Sequence, residues 1–385
     1  MNNRIYLDNA ATQPLRPEAQ EAMAAAGSEL NPAGQYTTGR AARRAVEEAR
    51  EQVAELLGAD AAEVIFTGSG TEANNIAVQG LAFGALRGSA RTIASPAIEH
   101  PAVAESVEWL VGGLPLGFRH RELPVDSHGV VTPVDIAGWH AEDPLALVTC
   151  MWANNETGNL QPVAELAAAA GQAGVPFHTD AVQVVGHQPV DFHALGASTL
   201  AASTHKFGGP RAGLLLARRD APIASPVRGG GQERKLRSGT VNVQAAVGTA
   251  AALAAAHRDM DADNARMATL RQSLLERIHT IDGVRVWTVG ASLPSHLHAS
   301  FPGAEGDSLI MLLDVAGVDA STGSACSAGV NRASHVLAAM GVPVEVARGA
   351  LRLTLGPQTT REEVERVAEM LPRVVEQARQ AGMAF

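Results

Sequence analysis

Short apolar runs of strand length, each followed by a stretch with helical periodicity, recur through the first two thirds of this chain. This alternation limits the fold more than any other feature. The runs are "EVIF" (63–66), "RTIAS" (91–95), "LALVTCMW" (145–152), "VPFHT" (175–179), "STLAAS" (198–203) and "GLLLA" (213–217). Among the helical stretches is 41–58, where Val46, Ala49, Val53, Leu56 and Leu57 form one stripe and Gly58 supplies the stop. Strands separated by helices need crossover connections, and these are right-handed. The expected product is an α/β fold with a mostly parallel central sheet and helices on both faces. After about residue 255 a long helical stretch leads into "VRVWTV", "HLHASF" and "ALRLTL", which read as a smaller α+β unit.

Composition supports a chain with real cores. Of 385 residues, 46% are hydrophobic and 18% charged. With 30 Lys and Arg against 40 Asp and Glu, the formal charge is −10, so no direct nucleic-acid partner is expected. No uncharged apolar segment is long enough to span a bilayer, and "MNNRIYLDNAATQP" lacks the apolar stretch of a signal peptide. The expected location is cytoplasmic, where thiols stay reduced. Cys150 and Cys326 are too few for a disulfide framework or a four-sulfur metal site, and no metal is expected.

The two cysteines differ in setting. Cys150 lies in an apolar run and reads as core filler. Cys326 lies in "STGSACSAG" (321–329), among small residues that offer a side chain almost nothing to pack against. Such a setting suits a thiol on a mobile tether.

Three segments carry candidate chemistry. "FTGSGTEANN" (66–75) joins a strand to a helix start through glycines, a fit for a phosphate at free N–H groups. A tight turn without a ligand is the plainer reading, and the match of Gly68, Gly70 and Ala73 to a dinucleotide fingerprint is weak. In "PFHTDAVQVVG" (176–186), Asp180 stands just past a strand with Gln183 three residues on, where open parallel sheets bind ligands. His178 and Asp180 are also of metal-ligating type, but no further ligands follow at suggestive spacing. "AASTHKFGGPRAG" (201–213) sets Ser203, Thr204, His205 and Lys206 at another strand end. A phosphate cup, an acid for a pyridinium nitrogen and a Schiff-base lysine are together the parts of a pyridoxal 5'-phosphate site.

With these segments go "YLDNAAT", "IEHPAV", "ANNETG", "GGGQE", "RSGTVN", "SHVLAAMG" and "LRLTLG", in one order along nearly the whole chain. In these motifs the chain resembles the cysteine desulfurases of the class-V aminotransferase family, in the subgroup with the longer active-site loop. The resemblance implies the fold type I of pyridoxal-phosphate transferases, with a seven-stranded sheet. It implies a large cofactor-binding domain, 16–255, and a small α+β domain from 1–15 with 256–385, carrying a mobile cysteine loop at about 321–333. It implies that Lys206 bears the cofactor, Asp180 pairs with the ring nitrogen, and His100 stacks on the ring. Gln183 would bond the phenolic oxygen, and Gly70, Thr71, Ser203, Thr204 and His205 would hold the phosphate. Thr240 would complete that site from the other subunit of a homodimer, while Asn155 and Arg352 would take the carboxylate of L-cysteine. Cys326 would receive the sulfur as a persulfide and pass it to an acceptor protein, an iron–sulfur scaffold or a tRNA-thiolation enzyme, and L-alanine would leave. The thiol needs a base or a positive field to ionise, and His100 is the best candidate.

Three departures from the family pattern stand out: Gly68 and Ser69 exchanged before Gly70, a run after Lys206 one residue shorter, and Arg332-Ala333 in place of an acid and a proline. The alternative readings are a selenocysteine lyase, or another class-V aminotransferase or lyase without sulfur capture, and a non-enzymatic docking protein. "HLH" (296–298) reads as an ordinary strand pair rather than a metal site.

Overall fold

The apolar runs pair as their alternation requires. The computed structural model describes residues 4–28, 30–113, 115–323 and 334–382. Among them seven strands form the main sheet, in the order Val64–Thr67, Gly213–Ala217, Thr199–Ser203, Phe177–Asp180, Leu145–Thr149, Thr92–Pro96 and Arg119–Leu123. Gly213–Ala217 runs antiparallel to both neighbours, and the other pairings are parallel. Six of the seven are buried at every position, which is why they read as unbroken apolar runs rather than alternations. The seventh, Arg119–Leu123, is the mostly exposed edge strand "RHREL". Its charges suit an edge, where they discourage pairing with another sheet, and they also hide it from a search for apolar runs.

Helix Thr37–Leu56 lays Val46, Ala49 and Val53 on the main core, one turn earlier at its start than the periodicity predicts. A 36-residue helix, Val243–Ile278, runs unbroken through the expected boundary at 255/256. Its Ala250 and Leu253 belong to the main core, whereas Met267, Leu270, Leu274 and Ile278 belong to a second one. That second core also takes Ile5, Leu7, Leu297, Phe301, Leu351 and Leu353. Strand His296–Ser300 lies antiparallel between Arg285–Val286 and Ala350–Thr354, and Ile5–Tyr6 pairs in parallel with Val318–Asp319. The run "VRVWTV" yields only two strand residues, because the chain beyond Trp287 turns to Asn159, whose Oδ1 accepts the Val289 N–H at 3.0 Å. Cys150 is fully buried in the main core, and burial pushes its thiol well above the usual range. No helix among the described residues is long and apolar enough to cross a membrane.

Candidate active site

The carboxyl ends of the parallel strands open into a cavity of about 380 Å³, closed on the other side by residues of the second core's strands and loops. One wall is the turn into helix Gly70–Ala85. Ser69 caps that helix, its Oγ accepting the Glu72 N–H at 3.1 Å, while the Glu72 carboxylate accepts from the Gly68 N–H at 2.5 Å and from Arg237 Nε at 2.8 Å. The exchange at Gly68 and Ser69 therefore keeps a capped, open helix start. A side chain at Gly70 would place its Cβ 2.8 Å from Ser203 Cβ and 3.1 Å from Val182 Cγ2. Only a glycine packs this closely against the end of strand Thr199–Ser203. Gly70→Ala is expected to weaken pyridoxal-phosphate binding by about tenfold or more through this crowding; an unchanged dissociation constant by fluorescence titration would contradict the cup.

Lys206 enters from a short turn after strand Thr199–Ser203. Its Nζ donates to the Ala10 and Ala11 carbonyls at 2.6 and 2.8 Å, so "DNAAT" is the floor on which the amine rests. Burial, with the nearby Arg352 charge, lowers its pKa to about 8, against the smaller opposing pull of Asp8 and Asp180. A lysine in this state is a usable nucleophile near neutral pH. The shortened run after it closes through Thr204, whose Oγ1 donates to the Pro210 carbonyl and whose carbonyl accepts the Gly209 N–H at 2.8 Å.

Asp180 lines the cavity and accepts from Asn74 Nδ2 at 2.6 Å and from the Val182 N–H at 2.9 Å. Behind it, fully buried His178 places Nε2 at 2.9 Å from Asn74 Oδ1 and Nδ1 at 2.9 Å from Thr199 Oγ1. Both ring nitrogens are engaged, so His178 is no metal ligand here. Burial drops its pKa to about 3 and keeps it neutral. Glu99 is also buried, and burial together with the Asp180 charge pushes it well above the usual carboxylate range.

His100 caps helix Pro101–Glu108, its Nδ1 accepting the Ala102 N–H at 3.1 Å. Burial lowers its pKa, which favours the neutral ring, and with Nδ1 accepting from Ala102 the proton of that ring sits on Nε2. It therefore meets the cavity as a proton donor. The role of base toward a thiol, expected from sequence, would require the Ala102 bond to break.

Arg352 is buried, not solvent-facing, in strand Ala350–Thr354. Its Nη1 donates to the Asn155 carbonyl at 2.7 Å and its Nη2 to Asp8 at 2.6 Å. Asp8, Asn155 and Arg352 all line the cavity, as do Gly70, Thr71, His100, Asp180, Gln183, Ser203, His205 and Lys206. Two expected residues do not. Thr204 is fully buried and spends its hydroxyl on the turn just described. Thr240 lies at the surface of this chain, outside the cavity, and its expected role concerns a second copy. Cys326, with Arg332 and Ala333, lies outside the described residues. Asp8, Asn74, His178 and Glu99 were not singled out for these contacts, although "YLDNAAT", "TEANN" and "IEHPAV" contain three of them.

The comparisons with known proteins agree with this geometry. The family described as Aminotransferase class-V matches residues 5–367. An "IscS-like cysteine desulfurase" of Mycobacterium tuberculosis is 46% identical over 98% of each chain. A solved structure described as "NIFS-LIKE PROTEIN" superposes with a TM-score of 0.88 at 34% identity, over 97% of this chain and 100% of that one. Another, described as "SspA in complex with cysteine", superposes with a TM-score of 0.78 at 28% identity, over 92% of this chain and 100% of that one. The sheet order and the cavity at its carboxyl edge are thus those of the fold type I transferases, and the chain belongs to the class-V aminotransferase family, among its cysteine desulfurases.

Proposed function

We propose that this chain removes sulfur from L-cysteine, releases L-alanine and holds the sulfur as a persulfide on Cys326 until an acceptor protein takes it. The observation that carries the reading is Lys206, a buried amine with its pKa lowered to about 8 in a cavity that also holds Asp180, an anion cup and a guanidinium. The complex of the similar SspA with cysteine supports the substrate.

The donor set fits pyridoxal phosphate. Gly70 packs too closely on Ser203 and Val182 to carry a side chain, and Thr71, Ser203 and His205 line the cavity beside it with polar groups. Asp180 offers a carboxylate for a ring nitrogen, and Gln183, which donates to the Ala10 carbonyl at 3.1 Å, reaches the cavity from the same turn. When bound, the cofactor supplies an electron sink for the substrate's α-carbon. Arg352 offers a fork for the substrate carboxylate, in competition with Asp8. The Lys206 amine removes the Cα proton and returns it. The Cys326 thiolate forms an S–S bond with the substrate sulfur as the Cβ–S bond breaks with its electron pair left on Cβ. His100 Nε2–H faces that step as a proton donor, and protonation at Cβ and Cα gives L-alanine. Ser321 and Gly323, which precede Cys326 in the sequence, line the cavity. A homodimer with Thr240 reaching the partner's cup belongs to the same proposal.

The test is mass spectrometry after L-cysteine, alkylation and digestion. One additional sulfur is expected on the Cys326 peptide. Alanine formation with no additional sulfur on any peptide would refute the assignment. A pH dependence follows from Lys206. A lysine pKa lowered to about 8 means that the neutral amine dominates above that pH and is lost below it. The rate at which cofactor-free protein captures pyridoxal phosphate is therefore expected to rise through pH 8 and level off, and Arg352→Gln is expected to move that midpoint upward. Stopped-flow absorbance reads both.

A further inference from the structure

The polar chain behind Asp180 has a direction. Asn74 must turn its NH2 toward Asp180, because a carboxylate only accepts, and so must turn its carbonyl oxygen toward His178. His178 must then carry its proton on Nε2. Being neutral, it has a bare Nδ1, which accepts the Thr199 hydroxyl proton at 2.9 Å. Thr199, His178 and Asn74 are 0%, 0% and 1% exposed, so no solvent competes for these bonds. Reversing the histidine tautomer would leave its bare Nε2 against the amide oxygen. Asn74 would then have to flip and set that oxygen against the Asp180 carboxylate.

We infer that His178, set by Thr199 and acting through Asn74, is a positioning residue that holds Asp180 ready to keep the pyridoxal-phosphate ring nitrogen protonated. The inference rests on the cofactor reading above. The charged and titratable groups facing Asp180 are Glu99, His100 and Lys206. Burial pushes Glu99 up and His100 down, each away from its charged form, and Lys206 is committed to the cofactor. The amide of Asn74 and the Val182 N–H therefore do most to hold the carboxylate. Val182 belongs to the backbone of the same turn and persists in any variant, so the side-chain half of the hold depends on the relay. The signal was in the sequence, in "TEANN" and "HTDAVQ", but nothing in the spacing says that position 74 meets position 178.

The experiment compares the full-length wild type with His178→Phe, His178→Gln and Thr199→Val. Each is loaded with pyridoxal phosphate labelled with nitrogen-15 at the ring nitrogen. The Phe variant keeps ring volume without a donor; the Gln variant restores an amide donor toward Asn74. Cofactor affinity is read by fluorescence titration and ring-nitrogen protonation by NMR across pH. The Phe variant is expected to bind the cofactor about tenfold more weakly and to lose the ring proton about one pH unit earlier, the size of effect that follows when the buried Asn74 amide oxygen loses its donor and the amide is no longer held in place on Asp180. The Gln variant is expected to recover most of both, and Thr199→Val to move both in the Phe direction by less. Should His178→Phe fail to fold, Thr199→Val decides alone. Wild-type ring-nitrogen behaviour in the Phe or Val variant overturns the inference, as does equal impairment of Phe and Gln. A wild type that binds no pyridoxal phosphate at all overturns the cofactor reading beneath it.

Discussion

Replacing Lys206 by alanine is expected to reduce L-alanine formation from L-cysteine by about 10³-fold or more, the upper part of the range for loss of a positioned acid–base and covalent group. The amine has two tasks that no neighbour can take over. It is held against the Ala10 and Ala11 carbonyls at one edge of the cavity, and burial with the Arg352 charge lowers its pKa to about 8, so that a usable fraction is neutral near physiological pH. His205 is the adjacent candidate, but its ring nitrogen Nδ1 is engaged with Thr12 Oγ1 at 3.1 Å. Lys206→Arg separates charge from nucleophilicity. The guanidinium stays protonated, so this variant is expected to be as inactive as the alanine one. Activity of Lys206→Arg within tenfold of wild type would mean that charge alone suffices and would remove the lysine from the chemistry. Alanine quantified by chromatography under single-turnover conditions is the measurement.

The second large effect is expected at Cys326. Cys326→Ala is expected to capture pyridoxal phosphate and bind L-cysteine as the wild type does, yet release sulfide under reductant at least about 10³-fold more slowly, as when a covalent nucleophile is deleted. The candidate residues for cofactor and carboxylate lie around the strand ends and on Ala350–Thr354, and of the cysteine-bearing stretch only Ser321 and Gly323 line the cavity among the described residues. Binding and sulfur capture should therefore separate cleanly. Full turnover by Cys326→Ala on L-cysteine would favour an elimination without sulfur capture. A comparison with L-selenocysteine distinguishes a selenocysteine lyase, for which the variant would keep its rate.

Much of the fold was legible because burial on both faces writes itself as plain apolar runs. "GLLLA" begins and ends where its strand does, and "STLAAS" overshoots by one residue. The exposed edge strand Arg119–Leu123 carries no such mark. The site was legible for a different reason. Asp180 and Lys206 stand at strand ends in a parallel sheet, where the topology gathers side chains whatever their distance along the chain. Thr204 shows the limit. Its neighbours Ser203 and His205 face the cavity, but the turn after Lys206 leaves the Pro210 carbonyl buried and needing a donor, and Thr204 supplies it.

Residue type and order alone pointed to the α/β class, to Lys206 and Asp180 as candidate cofactor residues and to a thiol among small residues at 326. These follow from local patterning, which a chain carries before it folds. Only the tertiary structure decided that Lys206 is buried enough to lose its proton near pH 8, that His100 lines the cavity with Nδ1 taken by the Ala102 N–H, and that Asp8 occupies Arg352. Protonation and hydrogen-bond direction depend on which groups are brought together and on how much water is excluded around them. Those distances join positions as far apart as 8 and 352, and no local pattern encodes them.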